Sequence, residues 1–119
     1  MEDRLTTVQE LRDFVNAFID ARQWTQFHSP KNMSISIALE AAELMEKFQW
    51  CDNTASYKEA EKNKEKVEQE LADIIITAMC FARATNIDIA QAVEKKMALN
   101  AKNYPVHKAK GVSTKYNEL

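Results

Sequence analysis

Val8, Leu11, Val15, Phe18 and Ile19 recur at three- and four-residue intervals behind Thr7-Val8-Gln9-Glu10, which has the form of a helix capping box. The pattern predicts an amphipathic first helix ending near Arg22. A segment carrying Trp24, Phe27 and His28 follows, and Ser29-Pro30 supplies an N-cap and a first-turn proline for a second helix running to about Trp50. Asp52-Asn53-Thr54 reads as a break. Ser56-Tyr57-Lys58-Glu59 is another capping box, opening a long third helix toward Arg83 whose first half is nearly all charge. Its second half is apolar through Ile74, Ile75, Ile76, Met79 and Phe81. Asn86 stops it, and Asp88 restarts a fourth helix ending near Asn103. Beyond Tyr104-Pro105 the composition turns polar, so about 104–119 is expected as an extended or flexible tail.

One glycine, Gly111, and two prolines, Pro30 and Pro105, are too few for the turns a sheet requires, which favours an all-α protein. At 119 residues, with 45% hydrophobic and 29% charged side chains, the chain is expected to form a single globular domain over 1–119. The apolar residues of helices two and three cover more than one face. A four-helix monomer buries one stripe of each, so a homo-oligomer is predicted. A formal net charge of −2 gives no basic surplus for a nucleic-acid backbone. No apolar run approaches the roughly 18 residues of a membrane span, and Met1-Glu2-Asp3-Arg4 lacks the basic-then-apolar order of a signal peptide, so a cytoplasmic protein is expected. Cys51 and Cys80 have neither Cys-x-x-Cys spacing nor a nearby histidine and read as free thiols.

Two acidic pairs interrupt the apolar helices: Glu40-Ala-Ala-Glu43 and Glu70-Leu-Ala-Asp73. Residues three apart on a helix lie about 60° apart around its axis, so each pair projects together, and helices two and three packed side by side would converge four carboxylates. Carboxylates removed from water must be protonated, paired with a cation or bound to a metal, and few basic residues in either segment are placed to pair. All-oxygen ligation suits Mg²⁺ or Mn²⁺, with positions left for water and substrate phosphates. Taken singly, each pair is a common accident of a charged helix; together they point to phosphate chemistry. A di-iron bundle needs Glu-x-x-His pairs, and neither His28 nor His107 has a glutamate three residues before it.

Glu40-x-x-Glu43, twenty-six intervening residues and Glu70-x-x-Asp73 resemble the MazG-type all-α nucleoside triphosphate pyrophosphohydrolases, especially their dCTP pyrophosphatase branch. The likeness runs from about Leu11 to Pro105 and includes Trp24 to Asn32, Glu46 to Trp50 and Lys96 to Pro105. It implies a four-helix bundle in a homo-oligomer, often a tetramer with a dimer as the alternative, and Mg²⁺-dependent hydrolysis between the α- and β-phosphates. By the same resemblance Glu40, Glu43, Glu70 and Asp73 hold the metal and carry catalysis. Trp24 and Trp50 are implied to bind the base with His28 in the same loop, and Lys96 and Asn100 to contact phosphate. Two positions depart from the branch: Val15 stands where dCTP-specific relatives have a base-contacting histidine, and Thr77 replaces a tyrosine at a substrate-binding position. These changes leave fold and reaction in place and put cytosine specificity in question.

Each of these residues also has a plainer reading. Tryptophans at loop ends are commonly core anchors, although two at the ends of one helix can clamp a flat base. Lys96 and Asn100 lie four apart on a face that could be merely solvated, His28 could be an ordinary loop residue, and Lys102 and Tyr104 carry little signal. The function expected first is a hydrolase removing surplus or noncanonical nucleotides, on dCTP or related pyrimidine deoxynucleotides. The alternatives are a helical nucleotide-binding or regulatory module without turnover, and an enzyme acting on dUTP or a phosphoribosyl nucleotide.

Overall fold

Thr7 caps α1 (Val8–Ala21): its hydroxyl accepts from the Glu10 N–H at 3.0 Å, satisfying a donor that the first turn leaves free. The computed structural model describes residues 1–119 and is all-helical, as the composition predicts. After α1, Gln23 takes a left-handed φ of 53°, which lets the Trp24 N–H reach back to the Ile19 carbonyl at 3.1 Å and turns the chain sharply. A single 3-10 turn, Thr25–Phe27, leads into α2 (Pro30–Glu46). Ser29 caps it, accepting from Asn32 N–H at 3.1 Å, and the Asn32 amide donates to the Phe27 carbonyl at 3.0 Å, pinning the turn to the helix.

α2 ends at Glu46, four residues before the expected Trp50. The Lys47 and Phe48 N–H groups bond three residues back, to Leu44 and Met45, so the last turn tightens and Lys47–Trp50 leave the helix. Asp52, not Ser56, opens α3 (Asn53–Lys62), accepting from the Ala55 N–H at 2.8 Å. Ser56 lies inside the first turn and donates to the Asn53 carbonyl. The long third helix predicted from the sequence is in fact two. Asn63 separates α3 from α4 (Lys64–Ala84): its backbone leaves helical geometry at φ −111° and ψ 30°, and its side-chain amide donates to both the carbonyl and the carboxylate of Glu59. At the other end Asn86, at φ 56°, stops α4 as predicted, and the Ile87 N–H closes onto the Ala82 carbonyl at 2.8 Å.

The chain divides into two compact units, Met1–Ile87 and Asp88–Leu119. Within the first, α4 packs most extensively against α2, and α1 and α3 also rest on it. Val15, Ile19, Met33, Met79, Cys80 and Ala82 form its buried core. The guanidinium of Arg83 donates a hydrogen bond to Asp20 at 3.1 Å and pairs with its other carboxylate oxygen at 2.8 Å, joining the end of α4 to the end of α1. Large apolar side chains stay exposed on the helices, among them Phe14, Ile35, Leu39, Met45, Leu71 and Ile75. In the second unit, Asp88 caps α5 (Ile89–Asn103) by accepting from Gln91 N–H at 2.8 Å. Beyond Tyr104, where an extended tail is expected, the chain forms the short α6 (Val106–Ala109) and a 3-10 turn at Tyr116–Glu118, with Tyr116 edge-on to Tyr104 at 6.0 Å.

Candidate active site

The packing of α2 on α4 brings three of the four predicted acids together: one carboxylate oxygen each from Glu40, Glu43 and Glu70 lies within 4.8 Å of the others. Asp73, one turn after Glu70, is not in that trio but shares the wall of an adjoining pocket with Glu40. Burial is uneven. Glu43 and Asp73 are exposed, whereas Glu40 and Glu70 are partly buried, and each has one Oε2 atom that is sealed from solvent without a hydrogen-bond partner. A buried carboxylate oxygen without a donor is costly unless a cation meets it, and clustered hard oxygens suit a divalent ion. The residues present therefore fit a metal centre held by Glu40, Glu43 and Glu70, with Asp73 beside it. One base that the sequence reading passed over does reach the cluster: Lys47 Nζ lies 3.7 Å from Glu70 Oε1.

Next to the acids a pocket of about 440 Å³ opens between α1, the 3-10 turn, α2 and α4. Phe14, Phe18 and Trp24 give it an aromatic wall, Val15, Ile19 and Met33 its apolar floor, and His28 and Ser36 its polar atoms; Glu40 and Asp73 stand on its acidic side. Trp24 meets Phe18 edge-on at 5.7 Å and 75°, while the Arg22 guanidinium lies 3.6 Å above the other ring, so the wall is braced from two directions. The turn carrying the wall is anchored as well: Thr25 donates to Asp20 at 3.2 Å, on the carboxylate that Arg83 grips. The hydrogen bonds and charge of Arg83, assisted by Thr25, hold the Asp20 carboxyl below the usual carboxylate range despite some desolvation. Cys80 lines the pocket too, and burial pushes its thiol up against the pull of Arg83, which keeps it a protonated, apolar wall element.

Of the substrate residues expected from the sequence, Trp24, His28 and Thr77 line this pocket. Thr77 donates its hydroxyl to the Asp73 carbonyl at 2.7 Å, so its proton is already engaged. Trp50 does not line it: the side chain stands 91% exposed beyond the end of α2. Lys96 and Asn100 sit one turn apart on α5, in the second unit. Phe14 carries no mark in the sequence, Cys80 reads there only as a free thiol, and Phe18 belongs to the apolar stripe of α1. The available signal was the width of that stripe: Phe14, Val15, Phe18 and Ile19 are more apolar surface than one helix contact needs.

Residues 35–119, which include all four acids, match the MazG-like family. The chain belongs to that family. Among curated relatives, dCTP pyrophosphatase 1 of Mus musculus is 36% identical over 115 residues, 95% of this chain and 68% of the mouse protein. The Homo sapiens protein of the same name is 33% identical with the same coverage. Among solved structures, a pyrophosphatase from Archaeoglobus fulgidus superposes with a TM-score of 0.78 at 38% identity, covering 82% of this chain and 91% of that one. This MazG-like chain is accordingly a nucleoside triphosphate pyrophosphohydrolase, and its family implies a divalent cation at an acidic cluster of the kind found here. No helix is long and apolar enough to cross a membrane.

Proposed function

We propose that this MazG-like pyrophosphohydrolase uses Mg²⁺, with Mn²⁺ as a substitute, to cleave dCTP or a related pyrimidine deoxynucleoside triphosphate between its α- and β-phosphates. The observation that carries the proposal is the position of Glu40, which belongs to both the acidic trio and the pocket wall. A nucleotide lying along the pocket places a flat base against Trp24 and Phe18 and its phosphates toward Glu40 and Asp73. Held at the cluster, Mg²⁺ would supply Lewis acidity toward the α-phosphate and make water there easier to deprotonate. Glu40, Glu43 and Glu70 hold that charge in place, and a carboxylate of the site accepts the proton of the attacking water. The new bond forms from water oxygen to the α-phosphorus, the α–β bridging bond breaks, and pyrophosphate leaves with the monophosphate as the other product. Lys96 and Asn100 are proposed as phosphate contacts on the resemblance alone.

Base selection follows from what the pocket can donate. Val15 offers no hydrogen bond and the Thr77 proton is engaged, which leaves His28, Ser36 and the indole N–H of Trp24 as side-chain donors to a base edge. A pyrimidine preference with broad tolerance is expected. Trp50 is proposed to reach the base only through closure or from a neighbouring copy. The exposed apolar faces of α2 and α4 support a homo-oligomer, and the family resemblance alone favours a tetramer over a dimer. We further propose that residues 1–119 act as one catalytic domain, serving nucleotide-pool housecleaning in the cytoplasm; the family match spans both units. Hydrolysis of dCTP, dUTP, dTTP, dATP, dGTP and a phosphoribosyl nucleotide by the purified protein with Mg²⁺ tests the reading. dCTP should lead the panel by less than about 10⁴-fold over dUTP, the scale of discrimination that a built base-edge contact gives. A purine turned over best would overturn the pocket assignment, and binding without turnover of any substrate would favour the binding-module reading.

A further inference from the structure

Lys47 is the one cation that forms an ion pair with any of the four acids, and it does so from an unusual place. It is the first residue beyond α2, its backbone turned by a bond to the Leu44 carbonyl, and its side chain folds back onto Glu70 of α4. The pair is not a solvent-swept surface contact: the side chains are 29% and 18% exposed. Glu70 therefore has two faces. Oε1 looks at the Lys47 ammonium, while Oε2 is buried without a hydrogen-bond donor, as is Oε2 of Glu40 in the same trio.

We propose that Lys47 is a tethered cation that sets the metal affinity of the acidic cluster. The inference rests on the metal reading given above. In the metal-free protein the ammonium neutralises one of three carboxylates that α2 and α4 force together, so the two helices stay packed without an ion. When a divalent ion enters, the same ammonium stands one carboxylate away from it and opposes it by like charge. Lys47 thus stabilises the metal-free fold and weakens metal binding, two effects of opposite sign from one side chain. A lysine that served only packing would change stability and leave metal affinity alone. A single positive charge one carboxylate away from a doubly charged ion, at the dielectric of water, changes affinity by about tenfold.

The test is isothermal titration of the metal-free protein with Mn²⁺ and with Mg²⁺, alongside melting curves in EDTA, for the wild type, Lys47→Met, Lys47→Gln and Lys47→Arg. Lys47→Met should bind either ion about tenfold more tightly and melt at a lower temperature when metal-free. Lys47→Arg, which keeps the charge, should restore both values toward those of the wild type. Lys47→Gln, neutral but still able to donate a hydrogen bond, gives the affinity if the methionine variant does not fold without metal. Wild-type-like or weaker metal affinity in the neutral variants overturns the inference while leaving the metal site standing. Absence of metal binding in every protein, wild type included, overturns the metal reading and the inference with it.

Discussion

Replacing Trp24 by alanine removes the ring that walls the pocket and leaves the acidic trio untouched. Two losses follow, on different observables. The ring's edge contact with Phe18, at 5.7 Å and 75°, contributes about 0.5–1.5 kcal/mol to folding, so the melting temperature falls modestly. Stacking on a base is worth about 1–3 kcal/mol per base, which corresponds to a rise in KM of about 5- to 150-fold. In the proposed binding mode the bond that breaks lies at the other, acidic side of the pocket. Stacking is the same in the bound substrate and in the transition state, so kcat should stay within a few-fold of wild type. Pyrophosphate release measured against dCTP concentration, with circular dichroism melts to confirm folding, separates the two effects. Trp24→Phe should fall between the wild type and alanine. An unchanged KM in a folded Trp24→Ala protein, or a collapse of kcat at constant KM, would refute the placement of the base.

Glu43→Gln should abolish hydrolysis and the thermal shift produced by Mg²⁺ while leaving the metal-free fold intact or slightly more stable, because it removes a repelling charge from the trio; an unfolded variant would point to a structural role. The folded-state pKa of Asp20 is depressed, so its bond to Arg83 adds stability that is present above the unfolded carboxylate pKa and lost as pH falls through the folded value. Asp20→Asn should therefore melt below wild type at pH 7, with the gap closing toward strong acid; a gap constant with pH would contradict the ion-pair account. Light scattering at micromolar concentration should give a multiple of the 13.7 kDa chain mass, with a clean monomer mass against the proposed assembly.

The starts of α1, α2 and α5 were legible because capping is local chemistry: Thr7, Ser29 and Asp88 each bond a backbone N–H three residues ahead, within the window that sequence can show, whereas Ser56 offered a capping pattern that Asp52 pre-empts. The break at Asn63 was not, because residues on both sides have helical propensity and the features that mark it, a non-helical backbone and side-chain bonds to Glu59, are visible only in the fold. The acidic pairs stood out as charges set into apolar helices, yet sequence could not tell that Glu40 and Glu70 bury an oxygen while Glu43 and Asp73 stay in solvent. That difference depends on the angle at which α2 meets α4. Lys47 was hidden for a related reason, since its reach to Glu70 depends on how α2 and α4 pack and not on its neighbours in sequence. Phe14 and Phe18 look identical to core residues in a stripe pattern. Whether such a ring fills a core or lines a cavity is decided by the segment opposite, here the turn pinned by Asn32.

The central claim is that water attacks the α-phosphorus of a nucleoside triphosphate at a divalent-metal site built on Glu40, Glu43 and Glu70. Hydrolysis of dCTP in ¹⁸O-labelled water with Mg²⁺, followed by mass spectrometry of the products, tests it most directly. The account predicts dCMP carrying a single ¹⁸O, unlabelled pyrophosphate in equal amount, and no turnover in EDTA. Label in the pyrophosphate, release of orthophosphate with dCDP, or an undiminished rate without metal would contradict it.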